Sequence, residues 1–211
     1  MNADSVYDSN LFAYCPENPI IYTDFNGNRE TNIYAYKATE YYNTSSRISQ
    51  PMDSTLIDKR LKVVYDESEG KYYYSKNGVR ISFTADQCIE DFTDSIPLME
   101  HFVDEALKAR DGNGMILVYK SENNTSTNMA QYQMMLKRML ENCNYQGAEG
   151  LRASVLVTGQ FDLTTINATR WFINQQPHVD FGKENEKHIG CRIIKALYLC
   201  LYEQYNDGDY L

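Results

Sequence analysis

The sequence has few of the residues that build covalent or metal-held frameworks. It contains five cysteines, and none of them stands in a Cys-x-x-Cys pair. An odd number of widely spaced cysteines indicates neither a zinc site nor a disulfide framework, and it suits a reducing compartment. Three histidines occur, and no two of them have the i, i+4 spacing of a helical metal site. The sequence therefore predicts no metal and no cofactor.

Long apolar runs and an excess of positive charge are also missing. The longest apolar run near the end, residues 193–201, is interrupted by Lys195 and is too short to cross a bilayer. The first ten residues, MNADSVYDSN, have neither the basic nor the apolar part of a secretory signal. The formal net charge of −9 repels phosphate groups, so nucleic acid and membranes are not expected partners. We expect a cytoplasmic, intracellular protein.

The chain does have an ordinary globular composition with an excess of tyrosine. Its 211 residues are 43% hydrophobic and 23% charged, which is enough for a sizeable core. There are 18 tyrosines against one tryptophan, and Tyr72, Tyr73 and Tyr74 are consecutive. We predict an N-terminal extension over residues 1–56 and one domain over residues 57–211, with an insertion at about residues 141–161.

Apolar periodicity divides most of the chain into strands and helices. Strands are predicted at residues 61–65, 71–75 and 79–83, with turn signals between them, and a strand-like stretch occupies residues 154–157. Helices are predicted after Asp94 or Ser95, after residue 125, and over residues 33–42, 163–175 and 186–205. Strands and helices that alternate through short links predict an α/β fold with a mostly parallel central sheet flanked by helices.

The segment from Met115 to Leu140 is the most informative part of the sequence. An apolar strand, residues 115–119, leads through a short polar loop into a helix with an apolar face. Thr125, Ser126 and Thr127 are candidates for the helix N-cap. Backbone N–H groups converge where a strand enters a helix, and the helix dipole adds partial positive charge, so such a loop is a potential anion site.

Residues 116–127, ILVYKSENNTST, resemble the signature segment of the cysteine-dependent dual-specificity phosphatases, in which an apolar strand, His-Cys-x-x-Gly-x-x-Arg-Ser/Thr and a helix follow one another. The corresponding loop here consists of Tyr119, Lys120, Ser121, Glu122, Asn123, Asn124, Thr125, Ser126 and Thr127. Lys120 stands at the cysteine position, Ser126 at the arginine position, and Thr127 keeps the final hydroxyl. Asp86 falls where the family has its general acid. The resemblance extends over roughly residues 61–205.

This resemblance implies a protein-tyrosine-phosphatase-like fold of the dual-specificity type that has lost its chemistry. An ammonium at Lys120 is protonated at neutral pH and has no lone pair for attack on phosphorus. Ser126 cannot make the bidentate contact of an arginine with phosphate. Asp86 assists only a reaction that a nucleophile has begun. We therefore expect no catalytic residues and a pseudophosphatase that acts in signalling as a protein-binding or scaffolding module.

Two alternatives stay open at the level of sequence. In the first, Lys120 and the loop amides read a phosphate or a phosphopeptide. In the second, the protein is an enzyme of unrelated chemistry, for which the sequence offers only carboxylates. The expected partners are proteins, and phosphoproteins and kinases belong to this class. The insertion and the Tyr72–Tyr74 segment are the expected interfaces.

Overall fold

The computed structural model describes residues 28–35, 40–43, 48–50, 60–76, 78–110, 115–122, 124–142 and 147–206. The chain divides into two compact units, Met1–Asp91 and Phe92–Leu211, called unit 1 and unit 2 below. The domain boundary that the sequence predicts near residue 57 falls inside unit 1. Much of the predicted extension, residues 1–56, lies outside the described residues.

Unit 1 is a sheet in which every described strand pairing is antiparallel. The strand order is β3-β2-β6-β5-β4-β1-β7. The strands are β1 (Asn28–Ala35), β2 (Glu40–Asn43), β3 (Ile48–Gln50), β4 (Arg60–Asp66), β5 (Lys71–Lys76), β6 (Val79–Phe83) and β7 (Cys88–Glu90).

The predicted mostly parallel central sheet, and with it the phosphatase-like fold, is wrong. Strands β4, β5 and β6 are confirmed, but only residues 67–70 join the first two and only residues 77–78 join the next two. Parallel neighbours need a crossover of a dozen or more residues, so connections this short force antiparallel pairing. The left-handed backbone of Gly70, at φ 64°, helps to close the first turn.

The helix predicted over residues 33–42 is also wrong, because its two ends belong to strands β1 and β2. Thr31 and Ile33 are β-branched and lie opposite Val63 and Leu61 of β4. Cross-strand packing of such pairs on a buried face outweighs the weak local preference for a helix.

Alternation along the strands gives the sheet of unit 1 a buried face and an open face. In β4, Leu61 and Val63 are buried, whereas Lys62 and Val64 are exposed. The buried face is a continuous cluster formed by Ile33, Ala35, Leu61, Val63, Tyr72, Ile81, Phe83 and Cys88. A slip of one residue in register would turn this set outward, so the burial of one face fixes the register.

Unit 2 is mainly helical. It contains α1 (Ile96–Arg110), β8 (Met115–Val118), α2 (Ser126–Asn142), α3 (Ala148–Ser154), α4 (Leu163–Asn174), β9 (His188–Gly190) and α5 (Cys191–Asn206). Strands β8 and β9 form an antiparallel pair. The predicted helices at α1, α2 and α4 and the strand at β8 are confirmed.

Two sequence predictions in unit 2 need correction. The strand-like stretch predicted at residues 154–157 is wrong: the insertion holds the helix α3, which ends at Ser154, and residues 155–158 have no regular structure. The last helix begins at Cys191 rather than at residue 186. Asn185 and His188 exchange backbone hydrogen bonds of 3.0 Å in each direction, which closes a two-residue turn before β9.

The polar side chain of Gln133 joins three segments of unit 2 and has no exposed surface. Its Nε2 donates to the Gln160 carbonyl at 2.8 Å and to Oγ1 of Thr165 at 2.9 Å. Its Oε1 accepts from the backbone N–H groups of Thr158 and Gly159, both at 2.9 Å. Gln133 therefore holds residues 158–160 and the first turn of α4 against α2, with its own polar atoms satisfied.

Replacing Gln133 with alanine should lower the free energy of unfolding by about 2–4 kcal/mol, because two backbone N–H groups and a carbonyl lose buried partners. Gln131→Ala is the matched control: this residue is half-buried on the same helix, and its loss should cost less than about 0.5 kcal/mol. Urea unfolding followed by fluorescence of Trp171, the only tryptophan, measures both. Equal effects of the two substitutions would contradict this role.

Candidate functional site

The loop predicted as an anion cradle, residues 119–127, is held by hydrogen bonds within the protein. The side chain of Asn124 donates from Nδ2 to the Val118 carbonyl at 2.7 Å and accepts at Oδ1 from the Val118 N–H at 2.9 Å. It therefore pairs with the end of β8 as a neighbouring strand would. The N–H of Tyr119 donates to the Lys187 carbonyl, and that of Ser121 to the Val118 carbonyl. These donors are not directed at an external anion.

The helix end of the loop is capped by the protein's own side chain. Thr125 accepts the N–H of Asn128 on its Oγ1 at 3.2 Å, and its carbonyl accepts the N–H of Met129. It is thus the N-cap among the three candidates named from the sequence. Ser126 begins α2, and Thr127 is exposed. Asn123, at the position of the family's glycine, lies outside the described residues.

Lys120 has a left-handed backbone, with φ at 63°, and an exposed side chain. Its Nζ lies 5.5 Å from the centre of the Tyr119 ring, a contact between a cation and an aromatic face. The Tyr119 ring itself packs edge-on against Phe161, with the centroids 5.7 Å apart. Glu122 is exposed and adds negative charge beside Lys120. The loop geometry therefore favours a structural junction over a phosphate cradle.

Asp86, the predicted remnant of a general acid, is an exposed residue of the turn between β6 and β7. Its carboxylate accepts a hydrogen bond from the hydroxyl of Thr84, two residues earlier. Asp86 belongs to unit 1, whereas the loop at residues 119–127 belongs to unit 2. A local turn contact of this kind accounts for the aspartate without a catalytic role.

Asn124→Asp should destabilise unit 2 by about 1–2 kcal/mol at pH 7, because the carboxylate cannot donate to Val118 and repels its carbonyl. Near a helix N-terminus the same change is otherwise neutral or favourable, since negative charge interacts well with the dipole. Asn128→Asp, in the first turn of α2, is the control, and it should leave stability unchanged or slightly raised. Urea unfolding by Trp171 fluorescence compares them, and a stabilised Asn124→Asp would refute the strand-like role.

A cluster of charged and hydroxyl groups lies on the buried face of unit 1 around Glu90. Arg29 forms two hydrogen bonds with its carboxylate, one of them 2.8 Å long. Thr31 donates to Glu90 at 2.6 Å, and the Tyr72 hydroxyl donates at 3.3 Å. The guanidinium of Arg29 also lies 4.7 Å from the centre of the Tyr65 ring.

These contacts keep Glu90 ionised. Burial opposes the charged form, but the hydrogen bonds from Arg29 and Thr31 outweigh it and hold the pKa of Glu90 below its ordinary value. Burial, and then the nearby Glu90 charge, raise the pKa of Tyr72, so this phenol remains a neutral donor. A second pair, Arg60 and Asp91 at 2.6 Å, lies in the same unit, with the Asp91 side chain fully buried. The Arg29–Glu90 and Arg60–Asp91 pairs form within unit 1, and they connect β1 and β4 to the end of β7.

The pH dependence of stability should report on Glu90. Because its pKa is lower in the folded chain than in the unfolded chain, its stabilising contribution is complete above the unfolded value of about 4.3 and is lost as pH falls through the folded value. Glu90→Gln should lower the free energy of unfolding by about 1–2 kcal/mol at pH 7. It should also reduce the fall in that free energy at acid pH, called the acid limb below. Unfolding is followed at each pH by near-ultraviolet circular dichroism of the tyrosines, which occur in both units. Glu67→Gln, in an exposed turn, should leave that limb unchanged, and an unchanged limb for Glu90→Gln would exclude this account.

The open face of unit 1 carries a groove of about 600 Å³. We call it the open-face groove and define it by Glu30, Lys62, Val64, Tyr73 and Arg80. Val64 is 38% exposed at its centre. Lys62 and Glu30 form an exposed ion pair of 2.6 Å on one side. On the other side the guanidinium carbon of Arg80 lies 3.7 Å from the centre of the Tyr73 ring. The groove thus joins an apolar centre to aromatic and charged groups.

The open-face groove was not predicted from the sequence. Its residues come from β1, β4, β5 and β6 and are spread over the range 30–80. Alternation along each strand marks Lys62 and Val64 as outward-facing. The strand order that brings them beside Tyr73 and Arg80 depends on pairing across the sheet. The segment Tyr72–Tyr74, predicted as an interface, contributes Tyr73 to the open-face groove and Tyr72 to the buried face.

Unit 2 has a smaller groove of about 400 Å³ beside its last helix. We call it the α5 groove and define it by Val179, Ala196, Leu199 and Cys200. Val179 is 39% exposed and Leu199 is 44% exposed. Arg192 at its border is engaged by the carbonyl of Asp180 at 3.0 Å. The α5 groove is more apolar in character than the open-face groove.

The N-terminus of α5 holds a carboxylate from its own chain. Glu184 accepts backbone N–H groups from Gly190 at 3.1 Å, Arg192 at 3.0 Å and Ile193 at 2.9 Å. The thiol of Cys191 lies 3.9 Å from the same carboxylate and is buried. This is the convergence of donors that was expected at residues 119–127, but here Glu184 is the anion and its role is that of a helix cap.

Comparisons of this chain with protein-family models, with curated proteins and with solved structures find no match. Within the residues that the structure describes, no group of three or more His, Cys, Asp or Glu side chains is arranged to hold a metal ion. No helix in that part of the chain has both the length and the apolar character needed to cross a membrane. The functional argument therefore starts from the two grooves and the charged groups around them.

Proposed function

We propose that this protein is a non-catalytic binding module and that its ligand surface is the open-face groove of unit 1. The observation that carries the proposal is Val64, 38% exposed at the centre of the groove between an ion pair and a stacked arginine. On the open face, Val64 lies directly between Glu30 of β1 and Tyr73 of β5, so an apolar residue is flanked by a charged and an aromatic side chain. An exposed apolar centre with a polar rim is the composition of a protein-binding surface.

The side chains around Val64 support a protein ligand. Tyrosine and arginine are enriched among the residues that dominate protein–protein binding energy, because they bury large areas with few rotatable bonds or donate several hydrogen bonds. The stacking of Arg80 on the Tyr73 ring positions these two side chains before a ligand arrives, which lowers the entropic cost of binding. The mixed charges of the groove suit the mixed charges of a polypeptide.

The antiparallel sheet of unit 1 removes the basis for a phosphatase-like module, because that prediction depended on a mostly parallel sheet. The alternative of a phosphate reader at Lys120 has less support than the open-face groove. Asn124 and Thr125 engage the nearby backbone, and the Lys120 side chain lies over its neighbour's ring. What remains of the prediction is protein binding without catalysis.

Site-specific photo-crosslinking tests the proposal in extracts of the source cells. The cross-linker p-benzoylphenylalanine replaces Ser75, which borders the open-face groove, and in a control protein it replaces Lys195, which borders the α5 groove. A protein captured only from position 75 is identified by mass spectrometry, purified, and titrated by calorimetry. We expect saturable binding by the wild-type chain.

Two matched substitutions then locate the binding surface. Val64→Arg should lower the affinity of the chain for the purified partner at least tenfold, because it places a charge at the apolar centre of the groove. Val179→Arg is the control, since this valine has nearly the same exposure, 39% against 38%, and lies in the α5 groove. Loss of binding with Val179→Arg alone would move the surface to unit 2. No partner at position 75, or a partner indifferent to Val64→Arg, would overturn the proposal.

A further inference from the structure

Arg80 is the residue of the open-face groove with the most donor capacity to offer a ligand. Its guanidinium carbon is 3.7 Å from the centre of the Tyr73 ring, so the planar group stacks on the aromatic face. Stacking leaves the N–H donors at the edge of the plane free to point away from the ring. Burial and then the hydrogen bond to Glu69 raise the pKa of Tyr73 to about 12, so the ring under Arg80 is that of a neutral phenol.

The carboxylates near Arg80 are engaged elsewhere. Glu30 pairs with Lys62 at 2.6 Å. Asp66 accepts on its Oδ1 from the N–H and the hydroxyl of Ser68 and from the N–H of Glu69, at 2.9, 2.6 and 3.2 Å. Across the residues that the structure describes, Arg80 has its ring contact but no hydrogen bond and no salt bridge. The charge of Arg80 interacts with that of Asp66 without a direct contact between them.

Cross-strand pairing adds a second donor at this position. Ser75 of β5 lies directly opposite Arg80 of β6 in the antiparallel register, and its side chain is exposed. Residues opposite each other in such a pair project to the same face of the sheet, so the hydroxyl and the guanidinium are neighbours. A planar, doubly accepting group such as a carboxylate fits the guanidinium edge in a bidentate manner, with the hydroxyl beside it.

The guanidinium of Arg80 stacked on the Tyr73 ring is called the Tyr73–Arg80 shelf below. We propose that this shelf of the open-face groove binds an Asp or Glu side chain of a partner polypeptide. This inference rests on the proposed function and names the chemistry of its ligand. Phosphate-binding sites typically bring several arginines together, whereas this groove presents one arginine with Asp66 and Glu30 nearby, so a single carboxylate is the better match. The apolar centre at Val64 requires an apolar residue next to the acidic one in the ligand.

Parallel selection of random peptides tests this chemistry directly. A phage library of random 12-residue peptides is selected against the full-length wild-type chain and, separately, against Arg80→Glu. Peptides from the wild-type selection should be enriched in Asp and Glu next to apolar residues. Peptides from the Arg80→Glu selection should instead be enriched in Lys and Arg, because the charge of the shelf has been reversed.

The affinities of one synthetic wild-type-selected peptide give the quantitative test, measured by fluorescence anisotropy. Arg80→Gln should lower the affinity for this peptide about 10- to 100-fold, the range for loss of a charged bidentate contact. The affinity of Arg80→Lys should lie between those of the wild-type chain and Arg80→Gln. Lys76→Gln is the control, because it removes one positive charge, as Arg80→Gln does, but from the opposite face of β5. It should weaken the peptide less than threefold.

The outcomes separate this inference from the proposed function. Peptides that lose binding to Val64→Arg but keep their affinity for Arg80→Gln would establish a ligand groove and overturn acid recognition. A selection without acidic enrichment would overturn it as well. If neither Val64→Arg nor Arg80→Gln affects any selected peptide, both proposals fail. A phosphotyrosine peptide that binds more tightly than its glutamate counterpart would replace the carboxylate with phosphate as the ligand.

Discussion

Strands β4, β5 and β6 follow one another through connections of four and two residues, and these short connections determine the architecture of unit 1. They exclude parallel pairing, and the resulting antiparallel sheet can bury one face and leave the other open. The buried face then fixes the register through Leu61 and Val63. Because that register is fixed, Lys62 and Val64 are exposed in line with Tyr73. The open-face groove is therefore a consequence of turn length and alternation.

Unit 2 depends on internal polar contacts of its own. Gln133 joins α2 to the segment before α4, Asn124 completes the end of β8, and Glu184 caps α5. In each case a side chain satisfies backbone groups that regular secondary structure leaves open. These contacts also explain why the strand–loop–helix at residues 115–140 does not need a bound anion. The donors that converge near a helix N-terminus are matched by the chain's own oxygen atoms.

The predictable part of the structure was that governed by local pattern. The strands β4, β5 and β6 and the helices α1, α2 and α4 follow from alternation, period and cap residues near them in sequence. Their arrangement in a sheet was not predicted, because the alternation of strands and helices later in the chain outweighed the hairpin turns. Strand β1 was missed since Ile33 is stabilised by Leu61, far away in sequence. Glu90 and Arg29, 61 residues apart, and the groove residues from four strands were beyond the reach of any local pattern.

The central claim is that the outward side chains of β4, β5 and β6 form the surface that contacts a polypeptide partner. Methyl cross-saturation in solution tests it most directly: the chain carries labelled valine and leucine methyl groups in a deuterated background, and the bound, protonated partner is irradiated. The account predicts strong attenuation of the Val64 methyl signals and none at Val179 or Leu199. Attenuation at Val179 and Leu199, with Val64 unaffected, would contradict it.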